Sequence, residues 1–422
     1  MTTHPHDDHP DRGPIPVRVP TSTTRTFVGA AHRANVRTWR FAFNATIHNR
    51  ARRFARHDLA GPHWNPLRTA HAALDELVMV YFETLSTPMP AEEFLRVERE
   101  VDELLELWAE LGIDRDPMRL HATPPPPDDA RIDTVTLSGT EYERLRFTSG
   151  WTPHEKAPGR DAWLDHPRNP TVPAAVLRHH DGPRPWLVLV HGADMGRSFD
   201  GRILRARRLH ETLGVNIVLP VLPAHGPRGH TPKARTRFPS DDHVANIHGL
   251  TQALWDVRRT IAWVRTQDPE AIGVYGFSLG GCVSSLLAST ESDLDAVVMG
   301  CPAADLVDLI RVNTRRELRD QPRMARLVDQ AYDAAAPVSA FSLAPTQAVE
   351  TLGLISAHAD RLADPVFQVG RLWHHFGQPE LRSVDTGHVT SFLGAGWVEA
   401  LEGMLLDRGV GHHNTDDRRR AA

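Results

Sequence analysis

Two cysteines, Cys282 and Cys301, are all that 422 residues contain. They are too few for a disulfide framework, and both sit in apolar surroundings typical of buried free thiols. No apolar run approaches the ~20 residues that a membrane-spanning helix needs. A basic excess is missing too: 48 Lys and Arg face 53 Asp and Glu, for a net charge of −5. Without a basic stripe there is no electrostatic footprint for nucleic acid. The N-terminal MTTHPHDDHPDRGP lacks the basic start and apolar stretch of a secretory signal, which points to a cytoplasmic protein. Histidines number 25, yet there is no HExxH, no CxxC and no compact His/Asp cluster with ligand spacing. His4, His6, His9, His412 and His413 lie among Asp, Pro and Arg in the tails. Neither a metal nor a cofactor is therefore expected.

What is present is ordinary for a globular protein: 41% hydrophobic and 24% charged residues, with length enough for one large domain and an added module. Residues 1–25 form a Pro/His/Asp tail with little to bury, and the reading is disorder there and over 409–422. Residues 26–120 read as a helical extension. Its first part carries Phe27, Val36, Trp39, Phe41, Phe43 and Ile47 in an amphipathic pattern. A helical hairpin follows. Asn65-Pro66 opens one arm, with Leu67, Leu74, Leu77, Val78, Tyr81 and Leu85 on one face. Pro88 and Pro90 separate it from the second arm, where Phe94, Val97, Val101, Leu104, Trp108 and Leu111 recur until Gly112 stops the helix. These stripes fit either packing on the main domain or a homodimer contact, and the pattern leaves both open.

A polyproline segment over 121–130 (HATPPPPDD and the next residue) reads as a stiff linker and domain boundary. Over 131–408 the grammar is first antiparallel, with short strands at Thr134–Leu137, Tyr142–Phe147 and Val172–His179. From Trp186 it becomes strand-helix alternation. Apolar runs at Trp186–Val190, Asn216–Val221, Ala271–Gly276, Ala296–Gly300, Gly353–Ser356 and Arg382–Val384 specify a doubly wound, mostly parallel sheet.

Chemistry concentrates at the strand ends. Gly276-Phe277-Ser278-Leu279-Gly280 follows a buried strand and opens a small-residue helix. A hydrolytic serine must be exposed, beside a base and near backbone N–H donors, and a tight strand-to-helix turn meets those needs when small residues flank it. Upstream, Leu187–Val190 runs into His191-Gly192-Ala193, the place for an oxyanion loop. The expected donors are the N–H groups of Ala193 and Leu279, with His191 bracing the loop rather than acting as a base. Downstream, Asp360 and then His388 follow strands, in the order nucleophile, acid, base. His388 would take the serine proton, and Asp360 would fix its tautomer. Asp364 and Asp305 are rival acids, while Asp385 reads as a turn residue. The loop Pro223–His230 would rim the site, where Arg228 reads either as a solvated loop residue or as a partner for an anion.

From about residue 172 to 405, the motifs VHG, GFSLGG, HADRLADP and GHV resemble the α/β-hydrolase superfamily in content and order. TPHEKAPGRDAWLDHPRNPTVPAAVLRH, LPVLPAHGPRG and RLWHHFGQPEL resemble more narrowly an uncharacterised actinobacterial group within it. The resemblance implies an α/β-hydrolase fold, with a short helical cap over 303–350 that screens substrates. It also implies acyl chemistry on a small-molecule substrate, without naming the acid. The expected activity is a serine hydrolase acting on carboxylic esters or thioesters. The alternatives are an acyltransferase using the same triad and a non-catalytic binding protein that keeps the fold. A complete Ser278, Asp360 and His388 set weighs against the last.

Overall fold

The computed structural model describes residues 23–51, 65–85, 89–137, 140–197, 200–229, 238–314 and 316–412. Most of the two tails expected to be disordered, together with His230, lies outside these residues.

Among the described residues, nine strands form one mixed sheet: β1 (Arg131–Leu137), β2 (Thr140–Thr148), β3 (Thr171–Leu177), β4 (Trp186–Val190), β5 (Asn216–Pro220), β6 (Ile272–Phe277), β7 (Ala296–Gly300), β8 (Leu352–Ala357) and β9 (Glu380–Val384). Their spatial order is β1-β2-β3-β5-β4-β6-β7-β8-β9. The first three pair antiparallel, and β3 joins β5 antiparallel. From β5 to β9 every pairing is parallel. Every residue of β4, β6, β7 and β8 is buried, as continuous apolar strands covered on both faces must be. The edge strand β9, with Glu380 and Arg382, is the polar exception.

The helices that matter here are α1 (Thr23–Ala51), α2 (Pro66–Leu85), α3 (Ala91–Leu111), α4 (Ala206–Leu213), α5 (His243–Arg265), α6 (Leu279–Leu287), α7 (Leu306–Asn313), α8 (Pro322–Ala335) and α9 (Ala395–Asp407). One face of the sheet packs on α3, α5 and α6, in a core that includes Phe94, Trp108, Trp186, Leu250 and Val283. The other packs on α4 and α9 around Leu209, Tyr275, Trp397 and Leu401. The apolar stripe of α3 is thus part of the main core. Trp108 donates its indole N–H to Ala334 O at 2.9 Å, and the buried Glu98 pairs with Arg323 at 2.6 Å, so α3 is tied to α8. Gly112 ends α3 in the left-handed region, φ 69°, as its place in the sequence implied.

The segment 121–130 is held along the surface. His121 Nε2 lies 2.6 Å from Pro337 O, and Arg258 donates to the carbonyls of His121 and Ala122 at 3.2 and 2.9 Å.

Of the two placements open to the α2 stripe, its leucines do not take the one against the main domain. Leu67, Leu74 and Leu77 are exposed, and so are Phe27, Val36, Trp39 and Phe43 of α1. Among its described side chains, those that α2 buries are Ala72, Asp75, Glu76 and Val80. Polar contacts rather than the leucine stripe direct this helix toward the domain. Among the described residues no helix is long and apolar enough to cross a membrane.

Candidate active site

Ser278 stands between β6 and α6 at φ 56°, ψ −113°, a backbone region that side chains rarely occupy and that turns tolerate only when their surroundings enforce it. The enforcement is visible. Ser278 N–H donates to Gly300 O at 2.9 Å, and its carbonyl accepts from Ala303 and Cys282, each at 3.0 Å. Any Cβ at Gly276 would fall 2.0 Å from Gly280 O, and one at Gly280 would fall 2.1 Å from Val190 O. The two glycines are therefore required by close backbone approach. The serine itself is half-buried.

Asp360 and His388 come together from the loops after β8 and β9. His388 Nδ1 lies 2.7 Å from Asp360 Oδ2, with both residues buried. The other carboxylate oxygen accepts from the N–H groups of Leu362 and Ala363 at 2.8 and 2.7 Å, so the acid cannot swing. The imidazole packs on Phe277, the residue before Ser278, with ring centroids 5.0 Å apart. Burial works against the imidazolium, but the charges of Asp360 and Asp75 outweigh it and hold His388 above the usual histidine value.

The loop after β4 lies against the elbow: a Cβ on Gly192 would come 3.3 Å from Ser278 Cβ. Neither the Ala193 nor the Leu279 backbone N–H has a hydrogen-bond partner among the described residues. His191 braces this loop. Its Nδ1 donates to Gly192 O at 2.8 Å and its Nε2 accepts from Leu222 N–H at 3.0 Å. Burial, then the neighbouring His225, drive its pKa down to about 3, so it stays neutral and serves as a structural crosslink.

Three further carboxylates are spent elsewhere. Asp305 caps α7 by accepting from Asp308 N–H at 2.8 Å, and it pairs with Arg371 at 3.0 Å. Asp364 caps the helical turn Pro365–Gly370 by accepting from Val366 and Phe367. Asp385 pairs with His358 at 2.6 Å. Arg228 is neither solvated nor free for an anion. It is fully buried, pairs with Asp256 at 2.8 Å, and donates to Asn169 O and Val221 O at 2.6 and 2.7 Å. It fastens the rim loop to α5 from below.

Cys301, Asp360 and His388 bring potential ligand atoms within 4.8 Å of one another. Burial and the adjacent Asp360 push the thiol well up, so it remains protonated beside a carboxylate that already serves the imidazole and two backbone N–H groups. This donor set is already occupied internally and does not suit a metal ion.

One residue at the site escaped the sequence. Asp75 of α2 accepts from the backbone N–H groups of His388 (2.7 Å), Arg361 (3.0 Å) and Val389 (3.0 Å). Beside it, Glu76 pairs with Arg37 at 2.6 Å and Arg361 at 3.2 Å. A cavity of about 1130 Å³ opens between α1, α2, α7 and the loop after Asp360, where Arg37, Phe41, Leu309, Arg361 and Phe367 are among its walls. Neither Ser278 nor His388 lines it. It neighbours the loop after Asp360 rather than Ser278.

No protein-family model matches the chain. Among solved structures it is similar to acetyl xylan esterases from a Paenibacillus and a Thermoanaerobacterium species. These are 15% and 14% identical, with TM-scores of 0.48 and 0.47, over 74% and 73% of this chain and 95% and 93% of theirs. The likeness is distant, and the fold rests on the strand order and the elbow described above. The sequence relatives are nearer. Two uncharacterised proteins of Mycobacterium tuberculosis, from strains CDC 1551 and H37Rv, are each 38% identical over 325 residues, which is 76% of this chain and 78% of theirs. The chain belongs to the family of these mycobacterial proteins, and its fold is of the α/β-hydrolase kind.

Proposed function

We propose that this protein is a serine hydrolase that cleaves carboxylic esters or thioesters of small molecules through an acyl-enzyme. The observations that carry the reading are the strained Ser278 elbow, whose Phe277 packs on His388 with ring centroids 5.0 Å apart, and the buried Asp360–His388 pair, bonded at 2.7 Å. In this mechanism Nδ1 of His388 is committed to Asp360, which leaves Nε2 to take the Ser278 Oγ proton as the oxygen attacks the acyl carbon. The carbonyl oxygen becomes an oxyanion, stabilised by the unpartnered N–H groups of Ala193 and Leu279 at the start of α6. Two such donors contribute several kcal/mol between them. His388 then protonates the departing alcohol or thiol, and a water deprotonated by the same nitrogen releases the acid and restores Ser278.

A fluorophosphonate probe tests this. The wild type should be labelled and Ser278→Ala should not, while His388→Ala should react at least about 100-fold more slowly. A folded wild type that resists the probe would overturn the proposal.

A further inference from the structure

Asp75 lies far from the nucleophile in sequence, on a helix outside the sheet, yet its side chain ends inside the site. It has one good reason to be a carboxylate. An acceptor-only group can serve three N–H donors at once, whereas an asparagine would turn its own NH₂ toward one of them. The three donors belong to two loops. Arg361 follows Asp360, while His388 and Val389 belong to the base loop. Asp75 therefore bridges the acid loop to the base loop. The fit is close: a Cβ on Gly387 would come 2.9 Å from both Asp75 oxygens. One face of α2 makes a second contact with the same region. Arg68, seven residues before Asp75 and hence two turns along the same side, donates to Asp385 Oδ1 at 2.8 Å.

The electrostatic setting is costly for a merely structural cap. Asp75 is completely buried, and burial together with the nearby Asp360 pushes its carboxyl up to about 6. The groups facing His388 are Asp360, Asp75, the Cys301 thiol and the ring of Phe277. Those nearest Asp75 are Asp360, His388 and Arg361, with Glu76 and Arg37 paired alongside.

We propose that Asp75 is a positioning residue of the catalytic apparatus, a second buried carboxylate that fixes the His388 backbone and ties it to the loop after Asp360. Helix α2 is then an integral part of the site. The proposal rests on Ser278, Asp360 and His388 being the reacting set.

The test uses the full-length chain with ¹³C-labelled histidine. The His388 ring titration is followed by NMR, with assignment against His388→Gln, in wild type and Asp75→Asn, and p-nitrophenyl acetate turnover is measured across pH. Loss of the charge should lower the His388 midpoint by about 0.5–1 unit, and loss of the bridge should lower kcat by about 10–100-fold with little change in KM. If Asp75→Asn does not fold, Gly387→Ala crowds the same contact from the other side and should lower both quantities. A folded variant with unchanged titration and unchanged kcat would overturn the proposal. A wild type without turnover, in which Asp75→Asn still moves the His388 titration, would overturn the hydrolase reading alone and support the contact.

Discussion

Asp360 holds His388 through a single 2.7 Å bond to Nδ1, while its second oxygen is tied to two backbone N–H groups of its own loop. An asparagine there could accept from the loop and still present the wrong group to the imidazole. Asp360→Asn should therefore fold and lose about 10²–10⁴ in kcat. Asp305 and Asp364 are helix caps, a role that asparagine fills equally well. Asp305→Asn and Asp364→Asn should keep kcat within about threefold by that argument. Steady-state kinetics on the three variants tests the choice of acid.

The pH dependence follows from two groups. His388 is held above its usual value and must be neutral to act, so the acid limb of kcat/KM should lie above pH 6.5. Asp75 titrates at about 6, so below that pH a second proton should steepen the fall, with the slope of log kcat/KM exceeding one. A single-proton profile with a midpoint at or below the ordinary histidine value would contradict this.

Stability should move the opposite way. A carboxyl raised in the folded state from 3.8 to about 6 favours folding below its unfolded value, and that contribution is lost as pH rises through about 6. The difference is on the order of 2–3 kcal/mol at most. At neutral pH, Asp75→Asn relieves this cost but leaves a backbone donor facing an amide NH₂, a penalty of similar size. Its thermal midpoint at pH 8 should thus lie close to that of wild type. The difference should move in the wild type's favour between pH 8 and pH 5, as differential scanning calorimetry can read.

Arg228 gives a contrasting expectation. It is buried against Asp256 at 2.8 Å, so Arg228→Met strands a buried carboxylate and should cost about 3–5 kcal/mol in stability. Preference for anionic over neutral esters, measured at low temperature, should not change. A selective loss of anionic substrates would show that the guanidinium reaches the pocket.

Much of this was legible in advance because it is written in local pattern. The apolar runs of β4, β6, β7 and β8 announce strands covered on both faces, and the two glycines flanking Ser278 announce a backbone too crowded for any side chain. Chain order then singled out Asp360 and His388. What was hidden is the work of polar residues on long-range contacts. On α2 the leucines fit either a packed stripe or a homodimer contact; Leu67, Leu74 and Leu77 are exposed while Asp75 and Glu76 are buried. Helical periodicity reads a carboxylate as solvent-facing, and only the backbone donors of two distant loops make its burial possible. Arg228 misled for the same reason: its partners, Asp256 and Asn169 O, are brought to it only by the fold.

Ser278 should carry the acyl group during turnover. The most direct measurement is mass spectrometry of the protein quenched during turnover of p-nitrophenyl acetate at acidic pH, where deacylation is slow. One acetyl group is expected on the peptide containing Ser278, absent from Ser278→Ala and accumulating more slowly in Asp75→Asn. Acetylation elsewhere with turnover intact in Ser278→Ala would contradict it.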